Sequence, residues 1–172
     1  MARYRLGFLV ALAVFALDQL TKWIVTGPMG LSQVGDEHFF LPIFSFTVTH
    51  NEGISLGLLN ATNPVGRWML VALTSAIAVG VAVWIGREKN KIDQAALGMV
   101  LGGALGNILD RTLHGYVVDF LDLHFGEYRP FLIFNVGDAA ISIAVVILLL
   151  RAFLARKDHG EGHEPKETIE HA

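Results

Sequence analysis

Four long apolar stretches account for most of the chain, and each approaches or reaches the ~20 residues that an α-helix needs to cross a bilayer. They occupy residues 6–25, 65–85, 95–113 and 131–154. The pattern predicts an all-α integral membrane protein with four transmembrane helices. We expect residues 1–156 to form a single membrane-embedded domain, followed by a disordered polar tail over residues 157–172.

The segment between the first two predicted helices, residues 26–64, follows a different pattern. Apolar and polar residues alternate in the sequence FSFTVT, from Phe44 to Thr49. A period of two is typical of a β-strand with one buried face. We therefore expect a small external β-sheet between helices 1 and 2, lying on the membrane surface. A loop packed over the helices is the alternative that this pattern leaves open.

The basic residues are distributed unevenly about the predicted helices. Nine of the thirteen Lys and Arg residues lie at the amino terminus, in the loop after the second helix, or at and beyond the end of the fourth. Cytoplasmic loops of membrane proteins carry such an excess, so both termini are predicted to be cytoplasmic. A basic rim of this kind suits membrane insertion and anionic lipid, and no nucleic-acid partner is implied.

The composition also limits the chemistry. The chain has no cysteine, which excludes disulfides, thiolate catalysis and cysteine-ligated metal centres within it. Its histidines lack the compact spacing of a zinc site, so no metal and no cofactor is required.

Small residues recur in the third predicted helix, where Gly98, Gly102 and Gly106 are spaced four apart. This spacing lets membrane helices approach closely. A nucleotide-binding glycine loop is the alternative, but the run has no P-loop lysine and follows no buried strand. Helix packing is the favoured interpretation.

Charged residues inside apolar helices need partners or a function. Asp18 and Lys22 are spaced i,i+4 in the first helix and can form a structural ion pair. Asn107, Asp110 and Arg111 fall at i, i+3 and i+4 in the third helix. Asn107 and Arg111 can offer amide and guanidinium donors to a substrate, or Arg111 and Asp110 can form a buried salt bridge, and the spacing allows both.

Two further aspartates stand beside or within very apolar sequence, Asp119 in VVDF and Asp138 in FNVGD. Asn135, Asp138 and Ser142 share one side of the fourth predicted helix. If that helix begins at residue 131, Asp138 lies about 10 Å along it, just beneath the outer interface. Asp119 follows the third helix closely and can fold back to the same depth.

Two adjacent carboxyls in a poorly solvated site tend to share one proton, which leaves one as an acid and the other as a base. This is the chemistry of aspartic peptidases. Asp122 is a rival for the position of Asp119, because it lies only three residues away. A proton- or ion-coupled transporter using the same acids, or a noncatalytic assembly factor, are the alternative functions.

Five motifs in order closely resemble those of bacterial lipoprotein signal peptidase, also called signal peptidase II: DQLTK, NEGISLG, GGALGNILDR, VVDF and FNVGD. The family is an aspartic endopeptidase family that removes the signal peptide from prolipoproteins, cleaving before a diacylglyceryl-modified cysteine. The resemblance implies such prolipoproteins and membrane lipid as partners, and the bacterial inner membrane as the location, with the active site near its outer face.

The resemblance also implies roles for individual residues. Asp119 and Asp138 correspond to the catalytic pair. The residues that correspond to substrate-binding positions are Asn51, Asn107, Arg111 and Asn135, and those that support the architecture are Asp18, Lys22, Gly53, Gly106 and Asp110. Gly137 departs from the family pattern, in which alanine is common there, and glycine costs a helix roughly 1 kcal/mol relative to alanine.

Overall fold

The computed structural model describes residues 5–53, 64–126 and 128–160. The helices are α1 (Arg5–Thr26), α2 (Pro64–Arg87), α3 (Lys91–Leu113) and α4 (Val136–Gly160), and the strands are β1 (Glu37–Leu41), β2 (Phe44–Asn51) and β3 (Val117–Leu123). Each of these four helices contains a segment long and apolar enough to cross a membrane. The predicted four-helix membrane fold is therefore confirmed.

Helix α3 is the central helix and packs against α1, α2 and α4. Half of its membrane-span residues are buried inside the protein, compared with 17–22% in the other three spans. Gly98 and Gly102 face the backbone of Gly7 and Ala11 in α1, and a side chain at either glycine would collide with it. The predicted stripe of glycines therefore lies in a helix interface, as expected for close packing.

The apolar core between the helices is small, and most large apolar side chains point outward. The core cluster consists of small and aliphatic residues from α1, α2 and α3: Ala11, Ala78, Ile85, Leu97 and Leu101. By contrast, Trp23, Leu73 and Phe153 are among the many exposed apolar side chains on the helices. A soluble monomer rarely exposes apolar patches of this extent, whereas a bilayer would cover them.

The three strands form one antiparallel sheet in the order β1-β2-β3. The sheet predicted between helices 1 and 2 is present, but its third strand, β3, comes from the connection between α3 and α4. An irregularity between Phe46 and Thr49 shifts the register of β2 against β3, so that Thr49 lies opposite Asp119. Residues 54–63, the remainder of the predicted external segment, lie outside the described residues, as does part of the NEGISLG motif.

The predicted start of the fourth helix at residue 131 is wrong, because α4 begins at Val136. Phe134 instead pairs with β3: Leu121 N donates to Phe134 O at 2.8 Å, and Phe134 N donates to Leu121 O at 3.2 Å. Hydropathy could not distinguish an apolar segment attached to a sheet from the first turn of an apolar helix. Asp138 therefore lies in the first turn of α4 and not 10 Å along it.

Other boundaries differ by smaller amounts. Helix α3 begins at Lys91, before the predicted residue 95, because Asn90 caps it by accepting hydrogen bonds from Ile92 N and Asp93 N. Helix α4 runs to Gly160 and so includes the first residues of the predicted disordered tail. Residues 161–172 of that tail lie outside the described part of the chain.

Candidate active site

Polar side chains from the sheet and from helices α1, α3 and α4 meet at one end of the helix bundle, beside the sheet. Asp119 reaches this site from β3 and is only 1% exposed. Asp138 reaches it from the first turn of α4 and is partly buried. Asn135 contacts both aspartates, so the fold brings the two carboxyls predicted from the sequence into one hydrogen-bonded site.

Asp119 accepts a hydrogen bond at each carboxyl oxygen. Asn135 Nδ2 donates to Oδ1 at 2.6 Å, and Asn51 Nδ2 donates to Oδ2 at 3.0 Å. Asn51 ends β2 and Asn135 precedes α4, so Asp119 is held between the sheet and the bundle. Its position is fixed by two neutral amides and not by a direct ion pair, within the described residues.

Asp138 and Asn135 cap the start of α4 reciprocally. Asn135 Oδ1 accepts from Asp138 N at 2.8 Å, and Asp138 Oδ2 accepts from Asn135 N at 3.3 Å. This is a capping box built with an aspartate at the third helical position, and the positive end of the helix dipole suits a carboxyl there. Asn107 Nδ2 in α3 donates to the other oxygen, Asp138 Oδ1, at 2.8 Å.

The environment of Asp119 changes its proton affinity. Burial, followed by the nearby carboxyl of Asp138, raises the pKa of Asp119 from its ordinary value of 3.8 to about 7. The hydrogen bonds from Asn51 and Asn135 and the charge of Lys22 act in the opposite direction, and burial prevails. A carboxyl with a pKa near neutrality is suited to exchange a proton during a reaction.

A buried ionic cluster next to the two carboxyls links the elements that carry them. Lys22 Nζ lies 2.8 Å from Asp18 Oδ2 in α1 and 2.8 Å from Asp110 Oδ2 in α3. Asp18 Oδ1 accepts from Gly137 N at 2.9 Å, which ties α1 to the first turn of α4. Asp110 Oδ2 also accepts from Val118 N at 3.3 Å, which ties α3 to β3. One lysine and two carboxylates thus hold four elements of the fold together.

The remaining sequence-predicted site residues lie close to these groups. Gly106 faces Asp18, and a side chain at Gly106 would collide with the Asp18 carboxylate. Gly53 N donates to Asn51 Oδ1 at 3.2 Å and so helps to orient the amide that contacts Asp119. Arg111 is 9% exposed, and its Nε has no hydrogen-bond partner among the described residues.

A cavity of about 640 Å³ opens beside Asp119. One wall is the end of β2 and the residues after it, including His50, Asn51 and Glu52. A second wall is formed by the segment before α4: Arg129, Pro130, Phe131, Leu132 and Ile133. Asp119 lines the cavity, whereas Asp138 is not among its described lining residues. The cavity therefore has a polar wall and a largely apolar wall, and Asp119 lines it as well.

Asp122, the rival candidate, occupies a different place. It is fully buried, and both of its oxygens accept from Arg129 Nε, at 3.0 and 3.2 Å. Thr47 Oγ1 in β2 also donates to it at 3.2 Å. The structure thus pairs Asp122 with an arginine and leaves Asp119 as the partner of Asp138.

Sequence reasoning missed several residues of this site. Gln19 Nε2 donates to Asp110 Oδ1 at 3.0 Å, and its position next to Asp18 was the available signal. Gly137 contributes its backbone N–H, which no side-chain pattern could reveal. Among the residues that the structure describes, no group of three His, Asp or Glu side chains is placed to hold a metal ion.

The fold and the site together define a class of protein: a four-helix membrane protein with two hydrogen-bonded carboxyls at the edge of an open cavity. A family model described as signal peptidase (SPase) II matches residues 10–154. The chain belongs to the signal peptidase II family and is therefore a membrane peptidase, of the aspartic class.

Individual relatives agree with this assignment. A lipoprotein signal peptidase from Rhizorhabdus wittichii is 53% identical over 165 residues, covering 96% of this chain and 93% of the relative. One from Sphingopyxis alaskensis is 48% identical, covering 91% of this chain and 90% of the relative.

Two solved structures, each described as a bacterial membrane enzyme, are also similar. One has a TM-score of 0.76 at 29% identity and covers 93% of this chain and 94% of its own. The other has a TM-score of 0.73 at 30% identity, and the match covers 85% of this chain and 91% of the other.

Proposed function

We propose that this peptidase removes the signal peptide from diacylglyceryl-modified prolipoproteins, with Asp119 and Asp138 as its catalytic pair. The observation that carries the proposal is the contact of Asn135 with both carboxyls. Its side-chain amide donates to Asp119 Oδ1, and its backbone N–H donates to Asp138 Oδ2. Such a pair can share a proton, and Asp119, whose pKa is raised to about 7, is the member suited to carry it at neutral pH.

The reaction follows from this division of roles. Ionised Asp138 takes a proton from a water molecule, whose oxygen attacks the carbonyl carbon of the scissile peptide bond. Protonated Asp119 donates its proton to the carbonyl oxygen, which becomes a hydroxyl of the tetrahedral intermediate. Collapse of the intermediate breaks the C–N bond, re-forms the carbonyl and returns that hydroxyl proton to Asp119, while Asp138 gives its proton to the departing amine. Both carboxyls end in their starting states.

The four substrate-binding candidates suit this chemistry in different ways. Asn51 lines the cavity and orients Asp119. Asn107 and Asn135 hold Asp138 and each other, since Asn135 Nδ2 donates to Asn107 Oδ1 at 3.1 Å. Arg111 offers a buried guanidinium whose Nε has no partner among the residues that the structure describes, and we assign this Nε to a carbonyl oxygen of the bound substrate.

The shape of the cavity supports a lipid-linked peptide as the substrate. Phe131 and Leu132 on the apolar wall are 61% and 75% exposed, so acyl chains could rest against them while remaining in the bilayer. The polar wall offers Thr49, His50 and Asn51 to a peptide. Lateral entry from the membrane would bring the bond before the lipid-bearing cysteine to Asp119.

The protein is a multi-pass protein of the bacterial inner membrane. We propose that both of its termini are cytoplasmic and that the site lies near the outer face. The supporting observation is that the loop after Arg87 and the basic end of α4 lie at the helix ends opposite the sheet, where Arg151 pairs with Asp93. A transporter would need acids along the whole span, whereas the carboxyl cluster of the described helices is at one end.

The test is cleavage of a purified diacylglyceryl-modified prolipoprotein, followed by mass spectrometry of the product. We expect a product that begins with the lipid-bearing cysteine. The matched control is the same precursor without the lipid, for which we expect much slower cleavage. A product that begins elsewhere, or no cleavage of the lipid-modified precursor, would contradict the proposal.

A further inference from the structure

Arg129 lines the same cavity as Asp119, yet no step of the proposed reaction uses it. It lies in the segment between β3 and α4, in a cavity that Asn51 also lines. An arginine beside a substrate cavity can support the fold, contact the substrate, or do both. The hydrogen bonds of Arg129 show which of its nitrogens is used by the fold.

The side chain of Arg129 is anchored on a buried partner. Its Nε donates to both oxygens of Asp122, which is 0% exposed and is itself held by Thr47 of β2. The Arg129 side chain nevertheless remains 45% exposed. A guanidinium has five N–H donors, and the bonds that the described residues provide are made by Nε alone. Among the residues that the structure describes, the two terminal nitrogens are therefore free to donate, and they lie at the exposed end of an oriented side chain.

The charges around this end favour a neutral acceptor. Asp122 already balances the charge of Arg129, and Glu52, which lines the same cavity, adds a further negative charge. An acidic side chain would gain little net attraction there. A peptide carbonyl oxygen accepts hydrogen bonds from a guanidinium without adding charge, and every residue of an extended peptide supplies one.

The position of Arg129 indicates which part of a substrate would reach it. The segment that carries it lies with the sheet, outside the spans of α3 and α4. The apolar signal peptide lies in the membrane, so the chain that continues past the cysteine is the part that leaves it beside the sheet. We propose that Arg129 positions this mature segment by donating hydrogen bonds from its terminal nitrogens to backbone carbonyls. The inference rests on the proposed function and extends it to the substrate beyond the cysteine.

The experiment compares two lipid-modified substrates with the same signal peptide. The short one ends directly after the lipid-bearing cysteine, and the long one continues for several residues of mature sequence. Each is cleaved by the wild type, by Arg129→Gln and by Arg129→Lys. Arg87→Gln is the matched control, because it removes an exposed arginine at the far end of α2.

We expect Arg129→Gln to raise KM for the long substrate about five- to tenfold, the cost of losing a charged hydrogen-bond donor at a half-exposed site. kcat for the long substrate, and both constants for the short one, should stay within about twofold of wild type. Arg129→Lys should recover part of the loss because it keeps the charge but not the planar fork. Arg87→Gln should behave as wild type.

Three results would overturn the inference. An equal loss on both substrates would show that Arg129 acts only by holding the loop to Asp122. Unchanged kinetics on both would show that it does not contact the substrate. A wild type that cleaves the short substrate as well as the long one would show that the mature segment is not bound. These results are distinct from failure of the proposed function, in which the wild type would cleave neither substrate.

Discussion

The side-chain amide of Asn135 donates a hydrogen bond of 2.6 Å to Asp119, and its oxygen accepts one of 2.8 Å from the backbone of Asp138. Asn135 is fully buried and is the residue that precedes α4. One asparagine therefore begins a membrane helix and also aligns the two carboxyls, so the placement of the pair depends on how this helix starts.

The first prediction concerns the pH dependence of cleavage. The proposed active form of the pair holds one proton, and the pKa of Asp119 is raised to about 7. Raising the pH through this value removes the proton, so kcat/KM should fall on the alkaline side with a midpoint near neutrality. Asn51→Ala removes a hydrogen bond that lowers the pKa of Asp119, so it should move this midpoint to higher pH.

The measurement is a pH profile of kcat/KM for both proteins with the same lipid-modified substrate. Asn51 is preferable to Asn135 for this test, because Asn135 also caps α4. A midpoint that stays unchanged or moves to lower pH in Asn51→Ala would contradict the assignment of the alkaline limb to Asp119.

The second prediction concerns stability. The pKa of Asp119 in the folded protein, about 7, lies above its ordinary value of 3.8, so the folded state holds the proton more tightly than the unfolded state. Folding therefore becomes less favourable as the pH rises between these values, and the full cost is present above the folded-state pKa. Asp119→Asn removes this ionisation and should raise the melting temperature more at about pH 8 than at about pH 5.

Thermal unfolding in detergent at the two pH values measures this difference. Asp36→Asn is a suitable control, since Asp36 lies before β1 and its carboxyl accepts a hydrogen bond from the backbone N of Gln33 at 2.8 Å. If Asp119→Asn raised the melting temperature equally at both pH values, or more at the lower one, burial would not be the cause of the raised pKa of Asp119.

The third prediction concerns the ionic cluster. Lys22→Met leaves the carboxylates of Asp18 and Asp110 buried without their shared cation, a change that typically costs about 3–5 kcal/mol. We expect a large loss of folded protein, measured by thermal unfolding and by the monodisperse fraction after purification. Adding Asp110→Asn to Lys22→Met should recover part of the loss. The exposed Lys89→Met serves as the control, and equal behaviour of Lys22→Met and Lys89→Met would contradict the proposed role of the cluster.

The fourth prediction concerns helix packing. A side chain at Gly103 of α3 would collide with the backbone carbonyl of Gly137 in α4, and backbone cannot move aside cheaply. Gly103→Ala should therefore destabilise the protein by roughly 1–3 kcal/mol. Gly80→Ala in α2 is the matched control, because a side chain there meets nothing within 4 Å. The helix propensity of alanine should make that variant neutral or slightly more stable. Similar unfolding temperatures for the two variants would contradict this description of the interface.

Much of this architecture could be predicted from the sequence, because hydropathy and helical spacing act locally. The four spans followed from apolar length, and the contact between Asp18 and Lys22 followed from i,i+4 spacing. The β-strand from Phe44 followed from its alternating pattern. The ordered motifs indicated the signal peptidase II family, and the comparisons confirmed that family.

The parts that could not be predicted depend on contacts between distant segments. The sequence of strand β3, VVDFLDL, does not alternate strictly between apolar and polar residues, so it gave no clear signal of a β-strand. The start of α4 at Val136 depends on the pairing of Phe134 with Leu121, which hydropathy does not reveal. An asparagine followed three residues later by an aspartate was the local signal of a capping box at Asn135.

The most direct test of the central claim is cleavage of a diacylglyceryl-modified prolipoprotein by the wild type, Asp119→Asn and Asp138→Asn, each shown to be folded. Asparagine keeps the shape of each side chain but can neither accept nor release the catalytic proton. We predict that the wild type releases the signal peptide and that each variant loses about 10³-fold or more of its activity. Cleavage at a near wild-type rate by either folded variant would contradict the role of that aspartate in the catalytic pair.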